Sequence, residues 1–75
     1  MVRLPSVSGE DVVLALGRLG FRAVRQRGSH VVLRKETESG AVGCSVPIHR
    51  ELALGTLRGV LKQAGVTLDD FLKVL

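Results

Sequence analysis

Residues 21–34 read FRAVRQRGSHVVLR, and this stretch decides the fold of the chain. Its first part, residues 21–26, mixes apolar and basic side chains and is bounded by glycines, which is typical of a short strand. The pair Arg27-Gly28 predicts a turn, because glycine is a strong turn former. Residues 29–34 have β-branched side chains at their centre and predict a second strand. Two strands joined by so short a connection are expected to pair as an antiparallel hairpin.

A third predicted strand follows the hairpin. Residues 36–40 are mostly polar and end in glycine, so they predict a loop. Residues 41–48 predict a short strand that stops near Pro47, because proline has no N–H to donate to a sheet. Strands that follow one another through short connections usually pair with each other. The three strands are therefore expected to form an antiparallel meander.

A helix is predicted before the strands. Residues 1–7 are expected to be an extended lead-in, and apolar residues at helical spacing then indicate a helix over about residues 9–19. Ser8 is a good N-cap, and Asp11 three residues on makes a capping box with it. Gly20 stands where a glycine commonly ends a helix.

Two more helices are predicted after the strands. Residues 49–55 are expected to form a loop, and helical spacing of apolar residues resumes at Thr56. Gly65 is expected to end this helix. Thr67 then caps a short final helix, whose first turn carries acidic side chains that favour the positive end of the helix dipole.

The expected fold is α+β, in the order α-β-β-β-α with a short C-terminal helix, and 75 residues are enough for a single domain over residues 1–75. The helices should cover one face of a three-stranded antiparallel sheet and leave the other face open. The predicted core is made of apolar side chains from the helices and the first strand: Val12, Leu16, Leu19, Phe21, Leu57, Val60, Leu61, Phe71 and Leu72.

Basic residues are concentrated in the first half of the chain. The net charge is +4, yet residues 1–35 hold seven basic and two acidic side chains, a balance of +5, and residues 36–75 have a balance of −1. Most of the cations in the first half are arginines, whose planar group suits phosphate. Such a basic patch is typical of a protein that binds a polyanion, most often nucleic acid. The competing interpretation is a basic surface that only keeps the protein soluble.

The composition argues against several classes of protein. A single cysteine allows neither an internal disulfide nor a cysteine-rich zinc site. No apolar segment approaches the ~20 residues that cross a bilayer, and no signal peptide is recognisable, so a cytoplasmic protein without membrane contact is expected. The glycines form neither a GxGxxG nor a P-loop pattern, and two histidines do not specify a metal site. No metal and no small-molecule cofactor are therefore expected.

His30 is the strongest candidate for chemistry. It follows Gly28-Ser29 at the start of a predicted strand, and basic side chains flank it on both sides. An imidazole exchanges protons near neutral pH, so it can help a ribose 2′-hydroxyl attack the adjacent phosphorus. Nearby arginines would offset the charge on the phosphorane oxygens. The alternative is a surface histidine that only hydrogen-bonds or contacts a phosphate.

Two other reactive side chains have a structural interpretation. His49 follows Pro47-Ile48 and is expected to end the third strand, with a supporting role at the same open face as the alternative. Cys44 lies in a predicted strand with no charged cluster near it in sequence. It is therefore expected to be a small buried apolar residue rather than a nucleophile.

Four segments together resemble the HicA family of messenger RNA interferase toxins, also called YcfA-like proteins. They are Leu19-Gly20-Phe21, residues 25–30 (RQRGSH), residues 46–49 (VPIH) and residues 55–58 (GTLR), which continue through residues 61–65 (LKQAG). The segments stand in the family's order and cover nearly the whole chain. Two positions depart from the family's pattern. Leu54 stands where relatives often have proline, and Val31 stands where relatives often have a histidine or a polar residue.

The resemblance implies a fold similar to the double-stranded RNA-binding domain. It also implies a toxin of a toxin–antitoxin system, an endoribonuclease that cleaves messenger RNA and halts translation. His30, in the Gly-Ser-His motif, is then the catalytic residue, and a HicB-like antitoxin that covers the active site is the partner. The reaction expected from the residues needs no metal. The candidate RNA contacts are basic or polar residues near His30 and on the second helix: Arg25, Arg27, Ser29, Lys35, Arg58 and Lys62.

Two other functions fit the same residues. A non-catalytic double-stranded RNA-binding module would recognise RNA through its shape, phosphates and 2′-hydroxyls, without any reactive side chain. A protein-interaction domain would use the basic surface for an acidic partner. The chain has no Trp or Tyr and two Phe, so a base-stacking platform is not expected. This composition favours recognition of the RNA backbone and shape.

Overall fold

The order of elements predicted from the sequence is the order found in the structure. The computed structural model describes residues 6–75, so most of the predicted extended lead-in lies outside the described residues. The described chain forms three helices and three strands: α1 (Gly9–Arg18), β1 (Arg22–Arg27), β2 (His30–Thr37), β3 (Gly40–Pro47), α2 (Leu54–Ala64) and α3 (Leu68–Val74). The α+β class and the α-β-β-β-α order with a short C-terminal helix are confirmed.

The three strands form an open antiparallel sheet in the order β1-β2-β3. Two-residue turns join neighbouring strands, at residues 28–29 and at residues 38–39. These tight turns set the register, with Arg27 opposite His30 and Thr37 opposite Gly40. Because β2 pairs with a neighbour on each side, its side chains stand at the centre of both sheet faces.

The predicted loop at residues 36–40 is mostly strand. β2 continues to Thr37, and the backbone of Glu36 pairs with that of Ala41 across the sheet. The prediction was wrong because polar side chains alone do not exclude a strand. Exposed side chains at the far end of a hairpin can be polar without weakening the backbone ladder beneath them.

The second long helix begins earlier than predicted, at Leu54 instead of Thr56. The amide of Leu57 donates to the carbonyl of Ala53 at 2.9 Å, which closes the first turn two residues earlier. Leu54 is therefore the first helical residue. Proline is favoured at that position because its missing N–H is not needed there, which explains why the family's proline is compatible with the same helix start.

The other predicted helix ends are confirmed. The hydroxyl of Ser8 accepts from the amide of Asp11 at 3.0 Å, and the carboxylate of Asp11 accepts from the amide of Ser8 at 3.0 Å, which completes a capping box. Gly20 and Gly65 follow α1 and α2 with φ angles of +99° and +70°, in the region that favours glycine. The hydroxyl of Thr67 caps α3 in the same way as Ser8 caps α1.

The core lies between the helices and one face of the sheet. Its largest fully buried side chains come from helices and strands alike: Phe71, Leu16, Leu33, Val12 and Val46. The predicted core is confirmed except at Leu19 and Leu72, which are half-buried and pack against its margin. The sheet face opposite the helices stays exposed, as predicted.

A close backbone contact at Gly9 joins α1 to the end of β3. The amide of Gly9 donates to the carbonyl of His49 at 2.9 Å. A Cβ at Gly9 would collide with the carbonyl oxygen of Pro47 and lie 2.8 Å from the Cα of Ile48. Since these atoms belong to backbone that is itself hydrogen-bonded, they have little freedom to move away.

We therefore expect Gly9→Ala to destabilise the fold by about 1–3 kcal/mol, the usual cost of overpacking. The matched control is Gly17→Ala, because Gly17 lies in the same helix and a Cβ added there would meet nothing within 4 Å. That control should gain about 0.5–1 kcal/mol, since alanine is the better helix former. Urea unfolding of both variants measures the difference, and equal stability changes would contradict the close contact.

Candidate functional site

The β1–β2 hairpin places His30 at the first position of β2. The turn has Gly28 at a φ of +58°, as at the first central position of a type II′ turn, where glycine is unstrained. Two hydrogen bonds hold the turn. The side-chain amide of Gln26 donates to the carbonyl of Gly28 at 3.2 Å, and the backbone N–H of Ile48 donates to the carbonyl of Ser29 at 2.6 Å. The backbone beneath the imidazole is therefore fixed on both sides.

The imidazole of His30 is exposed and lies at a cleft between the end of the sheet and α2. The cleft has a volume of about 330 Å³. Its walls come from the strand ends and from one flank of the helix: His30, Ser45, Pro47, Thr56, Gly59, Val60 and Gln63. The register pairs His30 with Pro47, so these two residues stand on the same face of the sheet.

A β-bulge in β1 decides which side chains share the face that carries the imidazole. Ala23 pairs with Leu33, and Arg25 pairs with Val32, the next residue of β2. Val24 is therefore one extra residue in β1. Such an insertion reverses the in-and-out alternation of side chains for the rest of the strand.

The bulge brings two arginines beside His30. In a regular ladder, with Val24 paired to Val32, Arg25 would stand opposite Val31, whose side chain packs on the core side of the sheet. With the bulge, Arg25 lies on the open face of the sheet and Arg27 lies directly opposite His30. The predicted contacts Arg25 and Arg27 are thus on the same face as the imidazole.

Four arginines stand on the open side of the sheet, and we call them the arginine face: Arg22, Arg25, Arg27 and Arg34. Arg22 is opposite Arg34 in the register. The guanidinium of Arg34 is partly neutralised by Glu36, with Nε 3.0 Å from the carboxylate oxygen. Within residues 6–75, no carboxylate is paired with Arg25 or Arg27. Their charges are available for an anion from outside.

The structure separates Lys35 from the arginine face. Lys35 pairs with Val42 on the side of the sheet that the helices cover. Its ammonium lies over the ring of Phe21, 5.7 Å from the ring centre, a distance typical of a cation–π contact. Lys35 therefore does not stand with His30, because side chains alternate between the two sheet faces and the two residues are five positions apart in β2. The predicted second strand ended at Arg34, so this alternation was not extended to Lys35.

Arg58 and Lys62 are also away from the cleft. Both are exposed and lie one turn apart on α2. The cleft uses Thr56, Gly59 and Gln63 of the same helix. With 3.6 residues per turn, Arg58 and Lys62 emerge on the opposite flank of the helix. Any contact they make with RNA is remote from the imidazole.

The chain matches the model of a known protein family. The family model described as the HicA toxin of bacterial toxin–antitoxin matches residues 9–66, from the start of α1 to just beyond α2. The chain belongs to the HicA toxin family. No curated protein matches this sequence.

Membership in the HicA family makes the protein a toxin of a bacterial toxin–antitoxin system, with an antitoxin as its partner. The matched region contains the whole sheet, the arginine face and the cleft at His30. α3 lies beyond it and contributes mainly to the core through Phe71.

The second histidine of this HicA-family chain does not share the cleft with the first. His49 is exposed and lies in a different depression, lined by Ser8, Glu10, Ile48 and Arg50 at the start of α1. Its backbone carbonyl accepts the hydrogen bond from α1 described above. His49 thus lies two residues beyond the end of β3, which stops at Pro47, and it is apart from the imidazole of His30.

Cys44 is buried, as predicted, with its side chain in the core. Burial raises the pKa of the Cys44 thiol to about 11. The thiol is therefore protonated at neutral pH, and a protonated thiol is a poor nucleophile.

Neither a membrane-spanning helix nor a metal-binding cluster is found in the part of the chain that the structure describes. None of its helices is long and apolar enough to cross a membrane. No group of three or more His, Cys, Asp or Glu side chains in residues 6–75 is placed to hold a metal ion.

Sequence reasoning missed the wall of the cleft that α2 provides. Thr56, Gly59 and Gln63 recur at the spacing of one helix flank, and that spacing is visible in the sequence. What the sequence does not show is that this flank faces His30, since that depends on how α2 packs along β3. Arg22 was also missed, although it lies within the predicted first strand.

The raised pKa of Cys44 predicts a loss of stability in alkali. In the unfolded chain a thiol loses its proton near its ordinary pKa of ~8.5, whereas the folded thiol keeps it until about pH 11. Between these values the unfolded state binds fewer protons, so stability falls as the pH rises. From about pH 8 to about pH 10.5 we expect the wild type to lose about 1–2 kcal/mol more than Cys44→Ala.

Urea unfolding of both proteins at the two pH values measures this difference, and subtraction removes the titration of the lysines that they share. Parallel pH profiles for the two proteins would contradict a buried, protonated thiol.

Proposed function

We propose that this HicA-family toxin is a metal-independent endoribonuclease that cleaves messenger RNA, with His30 as its general acid–base group. One observation carries the proposal. His30 is exposed at a cleft, and Arg27 and Arg25, which have no carboxylate partner within residues 6–75, stand on its face of the sheet. This arrangement brings a proton-transfer group and free guanidinium groups to the same phosphodiester.

The proposed reaction uses the ribose of the RNA as the nucleophile. The neutral imidazole of His30 takes the proton from the 2′-hydroxyl, and the 2′-oxygen forms a bond to the adjacent phosphorus. The bond from phosphorus to the 5′-oxygen breaks, and that oxygen takes a proton from solvent at the open cleft. The products are a 2′,3′-cyclic phosphate and a 5′-hydroxyl.

The arginine face supports the proposed reaction electrostatically. The pentavalent phosphorane has more negative charge on its oxygens than the ground-state phosphodiester has. Guanidinium groups that are already in place stabilise this developing charge without reorganisation. Arg27, directly opposite His30, is best placed for this role, and Arg25 continues the same surface along the RNA backbone.

The proposed partners follow from the same surface. Messenger RNA is the substrate. The antitoxin is proposed to be HicB-like and to cover the cleft at His30, with acidic side chains against Arg25 and Arg27. A cover of this kind inhibits the toxin by occupying the place of the phosphate backbone.

We expect His30→Ala to lower the rate of RNA cleavage by about 10²–10⁴-fold, the usual contribution of general acid–base catalysis. His49→Ala is the matched control, because His49 is also an exposed histidine but lies in another depression. The assay is cleavage of a long single-stranded RNA with a chelator present, with both variants checked for folding by circular dichroism.

Normal cleavage by His30→Ala would contradict the proposed role of His30. Intact RNA with the folded wild-type protein, together with salt-sensitive binding, would instead identify a non-catalytic RNA-binding module.

The arginine face makes a separate prediction about binding. Arg25→Gln should weaken binding to a 2′-O-methyl RNA, which cannot be cleaved, and should lower the dependence of log affinity on log salt by about 0.7 for one lost contact to a single strand. Lys35→Gln removes the same charge from the opposite sheet face, and its salt dependence should equal that of the wild type. Equal losses in the two variants would show that the phosphate backbone does not follow the open face.

A further inference from the structure

Gln63 has a fixed orientation beside the cleft. The backbone N–H of Ser45, on the edge strand β3, donates to Oε1 of Gln63 at 3.1 Å. A backbone N–H can only donate, so the atom of the amide that faces it must be the oxygen. The NH₂ group of Gln63 therefore points away from that bond.

The hydrogen bond to Ser45 uses only the oxygen of Gln63, and the exposed NH₂ group makes no hydrogen bond within residues 6–75. The side chain lines the same cleft as His30. In the register, Ser45 stands opposite Val32, two residues along β2 from His30 and on the same sheet face. A donor without a partner thus lies in the cleft, at a short distance along the sheet from the proposed general base.

The wall beside Gln63 has no side chain at Gly59. Gly59 lies one turn before Gln63 in the middle of α2, where glycine weakens a helix relative to alanine. A Cβ at Gly59 would have nothing within 4 Å, so no packing within the described chain requires a glycine there. The missing side chain leaves room for a flat group to lie against the helix backbone.

The chemistry of this wall differs from that of the arginine face. The wall carries a neutral amide, a hydroxyl at Thr56 and a bare helix backbone, whereas the guanidinium groups of Arg25 and Arg27 lie on the arginine face. A phosphate is better held by guanidinium groups than by one neutral amide. A base edge, in contrast, is recognised by amide groups of this kind.

We propose, on the basis of the proposed ribonuclease activity, that Gln63 determines specificity by donating a hydrogen bond to a nucleobase held against α2 at Gly59. The oxygen is turned toward Ser45, so the group that Gln63 presents to the rest of the cleft is the NH₂ group, which only donates. It therefore favours a base that presents a carbonyl oxygen, guanine O6 or uracil O4, over one that presents the amino group of adenine or cytosine. The toxin cleaves next to keto bases.

The test compares cleavage-site maps of a long single-stranded RNA for the wild type and Gln63→Glu. In the variant one carboxylate oxygen still accepts from Ser45, and the other becomes an acceptor in place of the donor. The preference should shift toward adenine and cytosine, with a change of roughly three- to tenfold in the ratio of keto to amino sites, the range of one net hydrogen bond.

Two controls separate recognition from charge and from structure. Thr56→Glu adds a carboxylate to the same wall, two turns away, and should slow cleavage at all sites together without changing their ratio. Gln63→Met removes both hydrogen bonds, so it should lose the preference and also stability, whereas Gln63→Glu should keep its stability.

Gly59→Ala tests independently whether a base lies against this wall. It should raise the urea midpoint, because alanine favours the helix, while slowing cleavage at the preferred sites by at least threefold. Gly17→Ala, on α1 and outside the cleft, should raise the midpoint and leave the cleavage rate unchanged.

An unchanged site ratio in Gln63→Glu, with the wild type active, would overturn the specificity proposal and leave the proposed ribonuclease intact. A wild-type preference for adenine or cytosine would overturn it as well. If the folded wild-type protein cleaves no RNA, the proposed function itself fails, and the specificity proposal fails with it.

Discussion

One extra residue in β1, Val24, determines what stands beside His30. The resulting bulge shifts the register by one residue and moves Arg25 and Arg27 from one sheet face to the other. The free cations and the imidazole then lie on the open face, while the helices cover the other face. The electrostatic surface and the reactive side chain are thus brought together by a backbone irregularity, since regular alternation would place Arg25 on the core side.

The contacts that complete the fold also shape the cleft. β3 is an edge strand, and unpaired backbone groups on an edge strand invite pairing with another chain. α2 covers this edge, and Gln63 accepts the N–H of Ser45. The same placement makes one flank of α2 a wall of the cleft at His30. The side chain of Gln63 therefore has two roles. Its oxygen stabilises the edge of the sheet, and its NH₂ group is available for recognition in the cleft.

The sequence predicts the features that depend on local chemistry. Helix ends are set by local hydrogen bonds and φ angles, at Ser8, Gly20, Gly65 and Thr67. Gly28 sets the turn before His30 in the same way. The bulge was not predictable, because the residues around Val24 include no glycine or proline that would mark it. For that reason the face of Arg25 and Arg27 could not be assigned, and the wall at Gln63 required knowledge of how distant elements pack. The chemistry of the residues and the family resemblance both pointed to His30, but neither could show which arginines accompany it.

The RNA is expected to cross the open face and to enter the cleft between His30 and α2. It must then perturb residues on both sides of that cleft. An NMR titration of the ¹⁵N-labelled protein with a 2′-O-methyl RNA, whose blocked 2′-oxygen cannot act as the nucleophile, measures this path residue by residue. We expect the largest shift changes at the backbone of residues 25–30 and at the side-chain amide of Gln63, with little change at Lys35 or in α1. Changes centred on α1, or on the flank of α2 that carries Arg58 and Lys62, would contradict this path for the RNA.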